Sequence, residues 1–399
     1  MRLETDDAEV SASSHSSDQF GRKVCILSSV HPALDNRIFY REARTLRQAG
    51  YDVVLIAQHD KDEVRDGIQI LALPSVPRWQ RPRLWWLILM KARAVGANLF
   101  HFHDPELLLV VPWLKLLTRR PTIYDVHEAN ADFIRLKRYL PGWLRRPLAA
   151  LVAALEPRLA AFHDGLIFAD ERIAASFHQV ELPCATVPNY PLRDLLADAM
   201  SVTRESIREK QLVVHLGAHD PYRGSRLMVD AFETVVRRLP EARLWLIGSF
   251  VEESHERELR QVIHTRGLSD SIKLLGRVPF ADIGHYLSLA QVGWVALQKV
   301  PKYEKNVPTK LFEYLAFGLP VVASDLPSVR QFAVDDGPIV LVAPGVAGEH
   351  AAALVELLAD PGEGRRLGIV GQQMVNDRYN WSEVEDRLLA LYDTVLNAC

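Results

Sequence analysis

Short apolar runs alternate along the chain with longer stretches in which apolar residues recur every three or four positions. Residues 23–28 (KVCILS), 52–57 (DVVLIA), 98–101 (NLFH), 121–126 (PTIYDV) and 165–169 (GLIFA) are apolar at successive positions. Strands covered on both faces read this way, as in parallel sheets. Between the first two runs, residues 38–49 carry helical spacing and stop at Gly50, a residue suited to a helix C-terminus. The alternation predicts a doubly wound α/β layer. It pauses at residues 187–191 (VPNYP) and a polar stretch reaching Lys210. It resumes at residues 212–216 (LVVHL), after which Leu227, Ala231, Phe232, Val235, Val236 and Leu239 mark one helical face. Residues 244–247, 272–275, 292–297, 319–324 and 339–342 supply further strands. The pattern therefore predicts two α/β domains in series, at residues 22–190 and 191–380. A tail at residues 1–21 precedes them, and a helix at 381–399 follows, placed to pack back on the first domain.

Composition narrows the function classes. A chain of 399 residues suits two cores of ordinary size, and 48% hydrophobic with 24% charged residues is a globular balance. A net charge of −3 carries no electrostatic footprint for nucleic acid. Cys25, Cys184 and Cys399 make no zinc spacing and suit a reducing cytoplasm. The first twenty residues are rich in Ser, Asp and His without an apolar run, which predicts a disordered tail rather than a signal peptide. No run approaches the roughly 18 consecutive apolar residues of a membrane span. The charge is uneven, however. Residues 78–158 hold 14 Lys and Arg against 6 Asp and Glu. Trp79, Trp85, Trp86, Tyr139 and Trp143 are interleaved with those bases. Aromatic rings with basic flanks favour a lipid headgroup layer, so the expectation is a cytoplasmic protein held peripherally on an anionic membrane surface. Tryptophans packed in the core beneath a basic surface would give the same pattern.

Ligands of open α/β sheets bind beyond the carboxyl ends of the strands, which directs attention to the strand-to-helix loops. In residues 217–224 (GAHDPYRG), Gly217 permits a tight turn, Arg223 carries fixed charge, and Gly224 lets backbone approach a ligand at a helix start. That constellation suits a diphosphate, although an ordinary polar loop with a surface arginine would look alike. In residues 306–324 (NVPTKLFEYLAFGLPVVAS), Pro308 fits a first helical position and Gly318 a C-cap. Thr309 and Lys310 fall in the first turn, where a cation opposes the helix dipole and an anion is expected nearby. Glu313 lies one turn on, on the same face, and can accept hydrogen bonds from a diol. A surface Lys–Glu pair is the plain alternative.

The segment PTKLFEYLAFGLPVVASD, the Arg223-Gly224 pair and the late Trp381-Ser382 before a terminal helix resemble family 4 of the retaining glycosyltransferases. Residues 28–43 (SSVHPALDNRIFYREA) and 101–107 (HFHDPEL) look like its polysaccharide-assembly members. The resemblance implies the GT-B fold: two Rossmann-like domains facing a cleft, with the nucleotide sugar on the second and the acceptor on the first. It implies transfer with retention and no cofactor or catalytic metal. Members usually carry two glutamates separated by seven residues. Glu313 matches the second, implied to hold the donor ribose, while the first falls on Lys305 with Glu304 adjacent. Pro308 replaces a family glycine, Ala218 an arginine, and Arg223 stands where lysine is general. His127, in YDVHEAN at a strand end, matches a histidine near the reacting sugar. A structural histidine is the plain alternative there. Asp35, Asn36 and Arg37 in the first loop, and Asp104 and Glu106 after the third strand, are implied to face the acceptor or the cleft. With Arg223 and Lys310 at the leaving diphosphate, the expected activity is a hexosyltransferase acting on a glycan or lipid-linked acceptor in bacterial surface-polysaccharide synthesis. A nucleotide-sugar epimerase on the same fold and a non-catalytic nucleotide-sugar-binding protein are the rival readings.

Overall fold

The computed structural model describes residues 21–137, 139–192, 211–279 and 282–398. The tail at residues 1–20, the polar stretch at 193–210, Arg138 and Cys399 lie outside the described residues. Grouped by contacts, the chain forms two units that divide at Ile123/Tyr124, with Asp393 and the residues after it counted in the first. Both are parallel-sheet α/β units.

In the first unit, strands β1 (Lys23–Pro32), β2 (Asp52–Gln58), β3 (Glu63–Arg65), β4 (Ile68–Leu73) and β5 (Leu99–Phe102) run in the order β3-β4-β2-β1-β5. All neighbours are parallel except the short edge pair β3–β4. β1 is central, which is why Val24, Cys25, Ile26 and Leu27 are fully buried in succession. The predicted helix after it is wound in two ways. Ile38–Ala43 forms a wide π turn, with Glu42 N–H donating to Arg37 O at 3.0 Å, and α1 (Arg44–Gln48) continues it as an α-helix. The extra residue per turn brings Arg37 Nε to 2.9 Å from Glu42 Oε1, both inside the unit. Helix α2 (Arg81–Val95) buries Leu84, Ile88 and Ala92, one side of the helix, and ends at Gly96 in the left-handed region. Helix α3 (Val111–Thr118) packs beside it. Near the C-terminus, Tyr51 Oη donates to Asp393 Oδ1 at 3.2 Å, a bond within this unit.

The second unit takes up β6 (Thr122–Val126) from Tyr124, then α4 (Asn130–Leu136), α5 (Gly142–Ala160), β7 (Gly165–Phe168), α6 (Glu171–Ala174) and β8 (Cys184–Thr186). β7 and β8 pair in parallel. Six further strands follow: β9 (Leu212–Leu216), β10 (Arg243–Ile247), β11 (Ile272–Gly276), β12 (Val292–Val295), β13 (Val321–Ser324) and β14 (Ile339–Val342). They form an all-parallel sheet in the order β11-β10-β9-β12-β13-β14. Helix α7 (Ser225–Arg238) lays Leu227, Met228, Ala231, Phe232 and Val235 on this sheet, the face that the apolar spacing marks. Helices α8 (Glu253–Thr265), α9 (Ile283–Leu289), α10 (Pro301–Lys305), α11 (Lys310–Ala316), α12 (Pro327–Arg330), α13 (Ala347–Ala359), α14 (Pro361–Asp377) and α15 (Ser382–Asn397) complete it, the last crossing into the first unit at Asp393. Residues 124–190 are counted by contacts with the second unit. Within this unit, Lys302 Nζ reaches Glu128 Oε1 at 3.1 Å and Lys305 Nζ reaches Asp132 Oδ2 at 2.7 Å.

From β9 the strand order runs outward through β10 and β11, then reverses to β12 on the other side of β9. The loops leaving β9 and β12 diverge at this switch point, the position at which open α/β sheets bind ligands.

Candidate functional site

The loop after β9 is shaped by two glycines that no other residue replaces without strain. Gly217 has φ +114°, and a Cβ there would lie 3.0 Å from Lys310 Nζ. Gly224 has φ +80°, and its Cβ would lie 2.0 Å from Ala296 O, the backbone leaving β12. Between them, Asp220 caps the turn Pro221–Arg223 by accepting Arg223 N–H at 2.8 Å. Arg223 then lies on the strand-end side, with Nε donating to Tyr303 Oη at 3.2 Å and pairing with Asp220 Oδ2 at 3.3 Å.

Lys310 arrives from the opposite direction, at the first residue of α11, with Thr309 at the N-cap position. Tyr314, one turn on, fixes the helix against the strand. Its hydroxyl accepts Leu216 N–H at 2.7 Å, and Gly293 makes room for its ring, which a Cβ there would meet at 2.4 Å. Lys310 Nζ therefore stands over Gly217 beside Arg223, whose Nη1 lies 3.9 Å from the same Cβ position. Burial first, and then the Arg223 charge, pull the Lys310 amine down to about 7, against the opposing pull of Glu313 and Asp220. His215 Nδ1 donates to Trp294 O at 2.9 Å, which leaves Nε2 to accept from Lys310 Nζ at 3.3 Å. Burial and the nearby cations hold His215 well below its ordinary value and His219 down at about 3, so both rings are neutral. Two cations and two neutral rings at the end of one parallel sheet form a receptor for a polyanion. Glu313, on the same short helix as Lys310, is buried.

His127 follows β6 and lines a cavity of about 220 Å³ together with Asp170, Asn189, Tyr190, Asn306 and Thr309. Asp170 caps α6 by accepting Arg172 N–H at 2.8 Å, and burial pushes its carboxyl up. Glu304 is half-buried on α10, the helix whose Lys302 and Lys305 hold Glu128 and Asp132.

The structure thus brings together Gly217, Arg223, Gly224 and Lys310 at the switch point, with Glu313 on the helix that carries Lys310. In the first unit, the loop residues expected to face a ligand make the following bonds within the fold. Asp35 accepts Arg37 N–H at 2.8 Å and Ile38 N–H at 3.2 Å, which makes it the start signal of the π turn. Asn36 O accepts Arg41 Nη1 at 2.8 Å. Arg37 is buried against Glu42, where it neutralises a carboxylate that also has His103 Nε2 at 3.2 Å. Asp104 is buried too. It accepts from Ser28 Oγ, Ser29 N–H and Val30 N–H at 2.8, 2.6 and 3.1 Å, and pins the end of β1. Glu106 accepts Ser29 Oγ at 2.6 Å and is also approached by Trp85 Nε1 and Arg81 Nη1. Trp85 is accordingly half-buried rather than presented to solvent. His215, His219, Tyr303, Glu128 and Lys302 escape the sequence reading. A histidine within the otherwise apolar LVVHL strand is the signal that marks His215.

Both halves of the chain resemble known proteins. Residues 36–189 match the family model described as Glycosyltransferase Family 4, and residues 210–360 that described as Glycosyl transferases group 1. The phosphatidyl-myo-inositol mannosyltransferase of Mycobacterium leprae is 26% identical over 306 residues, covering 75% of this chain and 74% of that one. Among solved structures, HepE of Anabaena in complex with UDP and glucose superposes with a TM-score of 0.72 at 16% identity, over 93% of this chain and 99% of its own. Sucrose-phosphate synthase of Thermosynechococcus elongatus gives 0.72 at 19% identity, over 95% and 100%. Two consecutive family matches, each with a parallel-sheet α/β region beneath it, and whole-chain likeness to these structures make the chain a family 4 glycosyltransferase on the GT-B fold.

Proposed function

We propose that this glycosyltransferase moves a hexose-type sugar, with retention, from a nucleoside diphosphate sugar to a glycan or lipid-linked acceptor in surface-polysaccharide assembly. The convergence of Arg223 and Lys310 over Gly217 carries this reading. Breaking the glycosidic bond builds negative charge on the departing diphosphate, and Arg223 together with a Lys310 that protonates as the diphosphate binds stabilises that charge as it forms. The reading has these cations do the work a metal does in other transferases, and His127 stand near the transferred sugar. HepE, which shares the fold, was solved with UDP and glucose, and the mycobacterial relative is named as a phosphatidyl-myo-inositol mannosyltransferase; both names support a nucleoside diphosphate sugar as donor. The test is nucleotide release from a panel of nucleoside diphosphate sugars with and without chelator. Acceptor-dependent release that survives chelation supports the reading. Turnover of donor with no acceptor would make the enzyme an epimerase.

The acceptor reading places the enzyme at the cytoplasmic face of an anionic membrane. Among the described residues no helix is long and apolar enough to cross one. In the first unit Trp79, Trp86 and Trp113 are 74%, 67% and 62% exposed, with Met90, Leu116 and Leu117 also exposed on the adjoining helices α2 and α3. In the second unit Tyr139 and Trp143 are exposed among Arg135, Lys137, Arg145 and Arg146. These tryptophans do not fill the core, and bases beside exposed apolar rings fit a headgroup layer. Vesicle sedimentation tests it. Binding rises with anionic lipid and falls with salt. Equal recovery with neutral and anionic vesicles would argue for a soluble acceptor.

A further inference from the structure

Glu128 lies one residue beyond His127, beside a site built for phosphate. Its Oε1 accepts from Lys302 Nζ at 3.1 Å. Lys302 is itself 4% exposed at its side chain and sits 3.5 Å over the Phe133 ring, so it is a clamp rather than a ligand group. A second clamp runs in parallel, from Lys305 to Asp132 at 2.7 Å. Lys302 and Lys305 are three apart on α10 and so share one face, while Glu128 precedes α4 and Asp132 lies in its first turn. The two bridges join the segment after β6 to the helix that leads into Asn306 and Lys310. Glu128 stays 34% exposed at the side chain, and its Oε2 makes no hydrogen bond to a described residue. Burial alone would push the carboxyl up, but Lys302, His127 and Arg223 outweigh it and hold Glu128 below its ordinary value.

A carboxylate near Arg223 repels the diphosphate that Arg223 is placed to bind. Its presence there serves a different part of the ligand. The group joined to the far phosphate of a nucleoside diphosphate sugar is a polyhydroxylated ring, and a carboxylate with one oxygen locked and the other open is a hydroxyl acceptor. We propose that Glu128, positioned by Lys302, binds the hydroxyls of the sugar being transferred and selects neutral hexoses over acidic ones. This rests on the donor reading above. A uronate would bring a second carboxylate toward Glu128, and like charges at close range are rejected.

Calorimetry with UDP against UDP-glucose, and GDP against GDP-mannose, separates this role from others. Glu128→Gln removes the repulsion of phosphate, so the free nucleoside diphosphate binds as well as in wild type or more tightly. It also removes the charged acceptor, so the added affinity supplied by the sugar falls about tenfold, the size of one hydrogen bond to a charged group. Discrimination between UDP-glucose and UDP-glucuronate narrows in the same variant. Glu128→Asp, which keeps the charge but shortens the reach, loses part of the sugar increment and keeps the discrimination. An unchanged sugar increment in Glu128→Gln, with only kcat reduced, would make Glu128 a base and overturn the proposal. Loss of the sugar increment and of free nucleoside diphosphate affinity together would make it structural. If wild type bound neither diphosphate, the donor reading would fall first and this proposal with it.

Discussion

Donor binding should take up a proton at Lys310. The amine is held at about 7 by burial and by Arg223, and the groups facing it are Glu313, Asp220 and the neutral rings of His215 and His219. A diphosphate set against Lys310 favours its charged form, so the pKa rises toward its ordinary value of about 10.4 on binding. The sign follows: the complex holds more protons than the free protein, and affinity falls as pH rises. A group titrating near 7 is about nine-tenths deprotonated at pH 8, so binding at pH 8 takes up about 0.9 proton, and affinity falls about tenfold from pH 6 to pH 8. Phosphate ligands titrate near 6, so at pH 8 the ligand contributes almost nothing. Calorimetry at pH 8 in two buffers of different ionisation enthalpy counts the protons directly. Lys310→Arg keeps the charge without titrating, and uptake should vanish. Zero uptake in wild type, or equal uptake in wild type and Lys310→Arg, would refute the reasoning.

Further outcomes are expected elsewhere in the same unit. Gly224→Ala forces a side chain at positive φ into Ala296 O, and should cost several kcal/mol or abolish folding, read by thermal unfolding. Glu313→Gln should weaken donor binding while leaving the unfolding transition in place; wild-type donor affinity would remove Glu313 from the donor site. His127→Ala should lower kcat by about tenfold or more while nucleoside diphosphate affinity holds, because the cations that bind the diphosphate lie on other elements.

What the sequence shows and what it hides follow from the reach of each interaction. Parallel strands buried on both faces leave continuous apolar runs, so β1, β2, β9 and β13 are legible from hydrophobicity alone. Gly217 and Gly224 are legible because the loop geometry demands residues without a Cβ. The role of a charged side chain is set by what folds back onto it. Asp104 has a motif-like setting, but its partners are Ser28, Ser29 and Val30 at Oδ2 and His31 at Oδ1, more than 70 residues upstream. The pairing of Arg37 with Glu42 depends on a π turn that the local sequence does not announce. The Lys302–Glu128 and Lys305–Asp132 bridges span more than 170 residues. Nothing local says that the two stretches meet.

The central claim is that Arg223 and Lys310 together hold the donor diphosphate. Titrating UDP and GDP calorimetrically into wild type, Arg223→Ala and Lys310→Ala tests it most directly. The account predicts one site per chain in wild type for at least one of the two nucleotides, with affinity about tenfold or more weaker in each variant, since a hydrogen bond to a charged group contributes roughly 1.5–3 kcal/mol. Both variants binding as tightly as wild type would contradict it.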